Sequence, residues 1–426
     1  MRTIISRILR LLARGIVARY RPRIIGVTGS VGKTTTKEVI AAVLRSRFRV
    51  GANPKNLNNE IGLPLAVLGA QDSGYRNPIA WGAIIISALI QLTVRNRHYP
   101  EILVLEYGVD HQGDMDYLLS VAKPEVAVVT AVAPAHLEFL STIEAVAREK
   151  GKLVAALPLS GTAVLNADDK LVLAMAPRTK ARVVSYGLNQ ADVRADNIGV
   201  SMGDKGMVQG MSFKLVSGGS SVPVLLCGVV GQPPVAAALA AAAVGINFGM
   251  TALEIGEALR TVVFPAGRLR LLLGIKETTL LDDTYNSSPR AAGEALAALA
   301  SLPKADSARR WAILGDMLEL GEQSESLHRQ IGEQVVVAGC SYLVTVGERS
   351  RDMARGAISR GFAPDHTFHF ARAEEAGRFV QDKLQPGDVV LVKGSQGVRC
   401  EKVTRELMAE PNQATELLVR QYKPWV

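Results

Sequence analysis

A glycine-rich loop between a strand and a helix constrains the fold of this chain more than any other feature. The apolar run RIIGVT (23–28) predicts a buried strand, and the loop that follows leads into a helix predicted from about 32 to 46. Glycines let backbone N–H groups close around phosphates, and the helix N-terminus adds a favourable dipole. The predicted nucleotide-binding residues of this loop are Gly29, Ser30, Gly32, Lys33, Thr34 and Thr35. Among them, Lys33 is placed to reach the β- and γ-phosphates, and the Thr34 hydroxyl is placed to bind Mg²⁺.

The composition fits a folded chain of two or three domains with 426 residues, 48% of them hydrophobic and 21% charged. The net charge of +9 is concentrated at the N-terminus, because residues 1–23 hold seven arginines and no acid, while the rest holds 42 basic and 40 acidic side chains. No basic motif elsewhere resembles a nucleic-acid site, so we expect no nucleic-acid partner. Three widely spaced cysteines and the lack of a convincing signal peptide indicate a cytoplasmic protein.

The order of strand-like and helix-like segments predicts the domain organisation. From residue 23 onward, β-rich apolar runs alternate with helical patterns, and a break at 264–267 precedes a second alternating series. Between the two, 192–230 has the texture of antiparallel strands. The predicted fold class is therefore α/β, with a P-loop central domain on a parallel sheet and a smaller Rossmann-like C-terminal domain. The predicted segments are a basic amphipathic helix (1–22), the central ATP-binding domain (23–265), the C-terminal domain (266–410) and a tail (411–426).

The phosphate loop has the spacing TGxxGKTT rather than the strict GxxxxGK[ST], and in this form it resembles the Mur ligase family. More motifs resemble that family in the same order along the chain. Those of the first domain are KNLNNEIGLPLAVL (55–68), LVLEYGVDHQGDM (103–115), AHLEFLST (135–142) and KGKL (150–153). Those of the second are PAGRLR (265–270), DDTYNSSPRAA (282–292), LGDMLELGEQSESLHRQIG (314–332) and VKGSQGVRCEKV (392–403). The second group is most similar to the family members that add D-alanyl-D-alanine.

The resemblance implies an ATP-dependent ligase of peptidoglycan synthesis that joins D-alanyl-D-alanine to a muramoyl-peptide precursor through an acyl phosphate. Its implied cofactors are ATP and Mg²⁺, and Lys150 is implied to be carbamylated, which turns an ammonium into an oxygen ligand. The implied metal ligands are Thr34, Glu106, His136 and Lys150. The implied catalytic residues are Lys33, His136, Lys150 and Arg268. Ser141 and Glu144 are spaced as a capping box, which predicts that the helix carrying Lys150 begins there.

The same resemblance implies binding roles for residues on both sides of the break. The implied nucleotide-binding residues of the second domain are Arg268, Asp283, Tyr285 and Asn286. The implied substrate-binding residues are Asn58, Asn59, Glu60, Lys393 and Ser395. Because Lys393 and Ser395 belong to a KGS turn, a structural role is equally open for them.

Two apolar segments bear on membrane contact. In residues 1–22, a helical wheel separates Arg7, Arg10 and Arg14 from an apolar side, so the helix either binds an anionic membrane surface or packs on its own protein. The uncharged run 77–94 predicts a core or interfacial helix rather than a span, because a span needs about 20 apolar residues. We therefore expect a monomer whose peripheral contact with the inner face of the cell membrane, if made, uses 1–22 and 77–94.

Two departures from the family keep alternative functions open. The phosphate loop starts at residue 26, which leaves no room for the usual N-terminal domain that binds a UDP-sugar, and Ala237 stands where the family has an adenine-contacting Asn. One alternative is a Mur-fold ligase that acts on a lipid-linked or non-UDP acceptor. The other is a membrane-peripheral nucleotide-binding module without ligase activity. The set of Glu106, His136 and Lys150 favours a ligase, since a pure binding module has no need of a carbamylated lysine.

Overall fold

The chain folds into two compact units. The computed structural model describes residues 2–53, 57–70, 78–133, 140, 142–203 and 206–422. One unit comprises Met1–Asp196, Lys214–Val224 and Ala236–Val262. The other comprises Asn197–Phe213, Leu225–Val235 and Val263–Val426.

The larger sheet has nine strands, and its parallel part contains the glycine-rich loop. Its strands are β1 (Arg23–Thr28), β2 (Val50–Ala52), β3 (Ile102–Glu106), β4 (Val126–Val129), β5 (Thr162–Asn166), β6 (Arg182–Gly187), β7 (Val193–Met202), β8 (Val208–Ser217) and β9 (Ser220–Cys227). They lie in the order β2-β3-β1-β4-β5-β6-β7-β8-β9, and β1 pairs in parallel with both β3 and β4. Val27 is level with Glu106, and Thr28 with Val129, so the loop after β1 begins beside the carboxyl ends of two neighbouring strands. This is where α/β sheets bind ligands.

The helices of the first part of the chain flank this sheet. They are α1 (Arg2–Tyr20), α2 (Lys33–Arg45), α3 (Gly62–Val67), α4 (Pro78–Thr93), α5 (Asp114–Val121), α6 (Ile143–Ala155), α7 (Lys170–Leu173), α8 (Gln232–Asn247) and α9 (Ala252–Arg260). Thr251 and Glu254 form a complete capping box at the start of α9. The predicted capping box of Ser141 and Glu144 is wrong, because α6 begins at Ile143 and its N-cap is Thr142, which accepts from Ala145 N.

Helix α1 packs against its own protein through one face. Leu9, Ala13 and Ile16 are fully buried in a hydrophobic cluster that includes Leu103 and Leu105 of β3. Burial of this face favours the docked-helix alternative for residues 1–22. It leaves the opposite face of the helix exposed to solvent.

Helix α4 packs on the hydrophobic cluster through one face, where Ile84 and Leu92 contact it, and exposes the other face to solvent. Of its side chains that the structure describes, Ala88 alone is buried. Within the described part of the chain, no helix combines the length and hydropathy that crossing a membrane requires.

The smaller sheet belongs to the second unit and has six strands. They are β10 (Arg270–Leu273), β11 (Thr279–Asp283), β12 (Arg310–Gly315), β13 (Tyr342–Val346), β14 (Thr367–Phe370) and β15 (Val389–Lys393). Their order is β10-β11-β15-β12-β13-β14, and every pair is parallel except β10 with β11. The accompanying helices are α10 (Pro289–Ser301), α11 (Ser324–Val337), α12 (Arg351–Ser359), α13 (Ala373–Lys383), α14 (Glu401–Leu407) and α15 (Ala414–Leu417). The two mixed sheets confirm the predicted α/β fold class.

Candidate active site

The glycine-rich loop is held in a conformation that requires glycine at one position. Gly29 has φ +150°, and a Cβ placed on it would lie 2.0 Å from Oγ1 of Thr130. The Thr130 hydroxyl donates a 2.6 Å hydrogen bond to the Val31 carbonyl, and the Ser30 N–H donates one of 2.7 Å to the carbonyl of Ala131. Hydrogen bonds to the loop after β4 therefore hold the loop after β1 in this conformation without a bound ligand.

The N-terminus of α2 follows this loop directly. Gly32 is its N-cap, with φ +84° and no side-chain hydrogen bond to the helix. Because the first N–H groups of an α-helix have no intrahelical partners, they are available to a phosphate. Nζ of Lys33 lies 2.8 Å from the Gly29 carbonyl, so this cation lies over the loop, and the side chain of Thr35 is buried. The predicted loop residues thus lie together at the N-terminus of α2, an arrangement suited to binding an anion.

A polar cluster joins this loop to the end of β3. The Thr34 hydroxyl donates a 3.0 Å hydrogen bond to Oε2 of Glu106, and the Asn58 amide donates one of 2.9 Å to Oε1. The Glu106 carboxylate is almost completely buried, and its backbone N–H donates to Oδ1 of Asn53 at 3.0 Å. Asn58, a predicted substrate residue, thus orients the predicted metal ligand Glu106.

Lys150 is a buried lysine on the third turn of α6. Its side chain is 2% exposed, and among the described residues it makes no hydrogen bond or ion pair. Burial, and then the Lys33 ammonium, lower the pKa of Lys150 to about 7, against the opposing effects of Asp110, Glu149 and Glu106. The amine of Lys150 is therefore uncharged in a large share of molecules near neutral pH.

The donor set around Thr34 suits a hard cation. Hydroxyl and carboxylate oxygens are the ligands that Mg²⁺ prefers in proteins, and a carbamylated lysine would add another oxygen. Among the described residues, no three His, Cys, Asp or Glu side chains lie close enough together to hold a metal ion. The predicted set does not depend on such a cluster, because Glu106 is its only carboxylate side chain. His136, the remaining predicted ligand, lies outside the described residues.

Two further predicted substrate residues have other partners. The Asn59 side chain accepts hydrogen bonds from the N–H groups of Ile61 and Gly62, and so caps the start of α3. Glu60 is half-buried, and its carbonyl accepts from the Tyr117 hydroxyl at 3.3 Å. Asn59 therefore has a structural task that its position in the motif did not reveal.

In the second unit, the ends of β11 and β15 bring together two predicted site residues. Nζ of Lys393 lies 2.6 Å from Oδ2 of Asp283 and donates to the Asn286 carbonyl at 2.9 Å. Both side chains are buried. The pair connects a predicted substrate residue to two predicted nucleotide residues, so Lys393 holds the 283–286 loop in place.

Arg268 and Tyr285 form the other part of this cluster. The Arg268 guanidinium lies over the Tyr285 ring, with Cζ 4.0 Å from the centroid, and its Nε is buried without a hydrogen-bond partner among the described residues. Ser395 accepts from the Leu318 N–H at 3.0 Å and donates to the Ser287 carbonyl at 3.4 Å. The KGS turn therefore ties three motifs of this unit together, which favours the structural alternative for Ser395.

Sequence reasoning missed an arginine in the C-terminal tail. Arg420 donates to the carbonyls of Thr284 and Tyr285 at 2.5 and 3.0 Å, and its Nη2 lies 2.7 Å from Oε2 of Glu401. Both charged side chains are at most 5% exposed. No motif marks Arg420, and a lone arginine near a chain end carries no pattern that points to this contact.

Asp282, next to the predicted Asp283, was also missed. Its Oδ1 accepts from the hydroxyls of Thr284 and Thr404 at 2.8 and 3.0 Å, while Oδ2 is buried without a partner in the described part of the chain. Burial raises the pKa of Asp282 to about 6.

Known protein families and relatives match most of this chain. The family description "Mur ligase middle domain" matches residues 27–79 and 86–245, and "Mur ligase, glutamate ligase domain" matches 267–396. The UDP-N-acetylmuramoyl-tripeptide–D-alanyl-D-alanine ligase of Mycobacterium tuberculosis is 36% identical over 91% of this chain and 73% of its own length. The Bacillus subtilis protein of the same name is 29% identical, over 95% and 79%.

Solved structures give the same result. MurF ligase from Thermotoga maritima in complex with ADP superposes with a TM-score of 0.77 at 26% identity, over 94% of this chain and 83% of that one. MurF from Acinetobacter baumannii gives 0.75 at 25% identity, over 93% and 79%. Because two family descriptions match this chain and a relative is 36% identical to it over 91% of its residues, this chain belongs to the Mur ligase family.

Proposed function

We propose that this chain is an ATP-dependent ligase that adds D-alanyl-D-alanine to the terminal carboxylate of a muramoyl-tripeptide in peptidoglycan precursor synthesis. The observation that carries the proposal is the contact of Thr34, in the phosphate loop, with the buried carboxylate of Glu106. A phosphate-binding loop alone would serve any nucleotide-binding protein, whereas a buried carboxylate beside it serves phosphoryl transfer. The relatives that bear the ligase name match more than nine-tenths of this chain.

The reaction has two balanced steps. First, a carboxylate oxygen of the acceptor forms a bond to the γ-phosphorus of ATP, and the bond between that phosphorus and the β–γ bridging oxygen breaks, which gives an acyl phosphate and ADP. Second, the amine of D-alanyl-D-alanine attacks the acyl carbon, loses a proton and expels inorganic phosphate. The product is an amide. Because this reaction consumes ATP, we place it in the cytoplasm.

The chain's own residues supply positioning and positive charge in this reaction. The N–H groups of the loop and of the first turn of α2 bind phosphate oxygens, and Lys33 offsets the charge on the β- and γ-phosphates. We assign Arg268, Asp283, Tyr285 and Asn286 to the nucleotide. Asn58, Asn59, Glu60, Lys393 and Ser395 stay predictions for the acceptor side, with Asn58 and Lys393 also acting through Glu106 and Asp283.

The metal part of the proposal rests on the donor set. Thr34, Glu106, His136 and a carbamylated Lys150 would hold Mg²⁺, which neutralises charge on the transferring phosphoryl group when bound. An uncharged lysine amine adds to CO₂ and releases a proton, which leaves an anionic carbamate. The burial of Lys150 and the lowering of its pKa support this modification, because they keep the amine uncharged.

The proposal is tested by ADP release and by the mass of the product. The full chain is incubated with ATP and Mg²⁺, with the muramoyl-tripeptide alone, with D-alanyl-D-alanine alone, and with both, using UDP-linked and lipid-linked acceptors in parallel. We expect sustained ADP release only with both substrates, in step with a product that contains one new amide. Sustained ADP release without the amine, or none with any acceptor, would overturn the ligase assignment and favour the nucleotide-binding alternative.

A further inference from the structure

Helix α4 faces solvent with its apolar side. Five residues at helical spacing form one exposed stripe, the α4 stripe: Ile79, Ala83, Ile86 and Ile90 of α4, and Val94 directly after it. Its four large members are between 54% and 82% exposed. Helices on the surface of a protein normally bury this side and expose the polar one. The α4 stripe is therefore a contiguous apolar surface that is exposed to solvent.

Helix α1 extends the same surface. Ile8 and Leu11 are exposed on α1, and the side chain of Leu92 on α4 lies against Gly15 of α1. The Arg19 guanidinium donates to the Thr93 carbonyl at 3.0 Å, and the Tyr20 hydroxyl donates to that of Gln91 at 2.9 Å. These contacts fix α1 beside α4, and the buried inner face of α1 anchors both to the unit.

The charge on α1, on α4 and on the segments that follow them is of one sign. Six exposed cationic residues lie on α1 or on the segments that follow α1 and α4: Arg7, Arg14, Arg19, Arg21, Arg95 and Arg97. The Asn96 N–H donates to the Tyr20 hydroxyl at 2.8 Å, which holds the segment after α4 against α1. Residues 1–22 and 78–98 contain no Asp or Glu. An apolar stripe on two helices that carry arginines and no acid is complementary to an anionic lipid surface.

We propose that the α4 stripe, together with Ile8 and Leu11, binds the surface of a bilayer that contains anionic lipid. The apolar side chains enter the boundary between headgroups and acyl chains, and the arginines contact the phosphates. The surface includes none of the proposed active-site residues, so it can bind a membrane while the site binds nucleotide.

A second copy of this chain is the less favourable occupant. A symmetric contact through the α4 stripe would bring the arginines of two copies near one another with no acid from 1–22 or 78–98 to offset them. A lipid surface supplies the opposite charge instead.

Vesicle flotation with the full chain tests the proposal. The vesicles are phosphatidylcholine alone and phosphatidylcholine mixed with phosphatidylglycerol, each at low and high salt. We expect binding to the anionic vesicles at low salt, with a partition coefficient at least about tenfold higher than on neutral vesicles or at high salt.

Two variants and a control decide which residues carry the binding. Ile86→Asn with Ile90→Asn should lower the partition coefficient about tenfold or more, and Arg7→Gln with Arg14→Gln should lower it about tenfold on anionic vesicles only. Leu159→Asn, which changes a leucine 76% exposed elsewhere in the unit, should leave it unchanged. Circular dichroism checks that each variant is folded.

Three results would overturn the proposal: no flotation of the native chain, equal flotation of the Ile86/Ile90 variant, or a concentration-dependent dimer that this variant abolishes. Ligase activity on a soluble acceptor is measured in parallel. It should be the same in native chain and variant, so a failure of the membrane proposal is separable from a failure of the proposed function.

Discussion

The hydroxyl of Thr34 donates a 3.0 Å hydrogen bond to Oε2 of Glu106, across 72 residues of sequence. The contact exists because β1 and β3 are parallel neighbours, with Val27 level with Glu106, so the start of the phosphate loop lies beside the carboxyl end of β3. It places a hydroxyl and a carboxylate beside the loop that we propose binds phosphate.

Replacing Glu106 with glutamine tests whether activity needs the negative charge of this side chain or only its size. Glu106→Gln keeps the acceptor for Asn58 and the size of the side chain but removes the negative charge. We expect kcat to fall about 100-fold or more and the Mg²⁺ concentration for half-maximal activity to rise, because a neutral amide is a poor magnesium ligand. ADP release over a Mg²⁺ titration measures both.

The matched control is Glu101→Gln, which changes an exposed carboxylate just before the same strand. It should leave the Mg²⁺ dependence unchanged. An unchanged Mg²⁺ requirement in Glu106→Gln would remove Glu106 from the metal site.

Removal of the Lys150 amine should abolish ligase activity, and small carboxylic acids should partly restore it. Lys150→Ala leaves a buried space where the carbamate oxygens belong, so we expect loss of ligase activity and partial recovery on adding formate or acetate. Acetamide, of similar size without charge, should not restore it, and Lys123→Ala, an exposed lysine, should be neutral. Equal recovery with acetamide would argue for filling of space rather than for an oxygen ligand.

Asp282 should make the stability of the second unit depend on pH. Burial raises its pKa to about 6 in the folded chain, from 3.8 without that burial. Between these values the folded state binds more protons than the unfolded state, so the free energy of unfolding falls as pH rises, and above about pH 6 this loss is complete.

Asp282→Asn does not titrate and keeps the Oδ1 acceptor for Thr284 and Thr404. Its free energy of unfolding relative to the native chain should therefore rise by about 3 kcal/mol between about pH 4 and about pH 7. Urea unfolding at a series of pH values measures the difference. Parallel profiles for the two proteins would show that this carboxyl keeps an ordinary pKa.

The tail arginine should stabilise the loop that carries Tyr285. Arg420→Ala leaves the buried Glu401 with Arg399 as its remaining cation and frees two loop carbonyls, so we expect a loss of about 3 kcal/mol in the free energy of unfolding. Arg420→Lys keeps the charge but cannot bridge the same acceptors. We therefore expect KM for ATP to rise, and the free energy of unfolding to fall less than in Arg420→Ala.

The control for this substitution is Arg405→Ala, which removes an exposed arginine from α14 and should change stability by less than about 0.5 kcal/mol. If Arg420→Lys binds ATP normally, the tail does not position the Tyr285 loop.

The parts of the molecule that sequence could predict are those that depend on local patterns. The β1 strand, its loop and α2 were predictable because apolar alternation, glycine spacing and helix propensity agree there. Cap choice was less so: Ser141 and Thr142 both suit an N-cap, and which of them caps depends on how the chain enters α6.

Other features depend on tertiary contacts that no local pattern encodes. The composition of α4 predicted a core or interfacial helix, and only the packing of the unit shows that its apolar stripe stays outside. Arg420 meets Tyr285 across 135 residues, and Asn59 caps α3 although its motif predicts substrate binding.

The central claim, that this enzyme activates a carboxylate as an acyl phosphate, is tested most directly by following oxygen. The muramoyl-tripeptide is labelled with ¹⁸O in its terminal carboxylate, ligated to D-alanyl-D-alanine with ATP, and the released phosphate is analysed by mass spectrometry. We predict one labelled oxygen in each phosphate, because the oxygen that bonds to phosphorus leaves with it when the amine attacks. Unlabelled phosphate alongside ligated product would contradict the account.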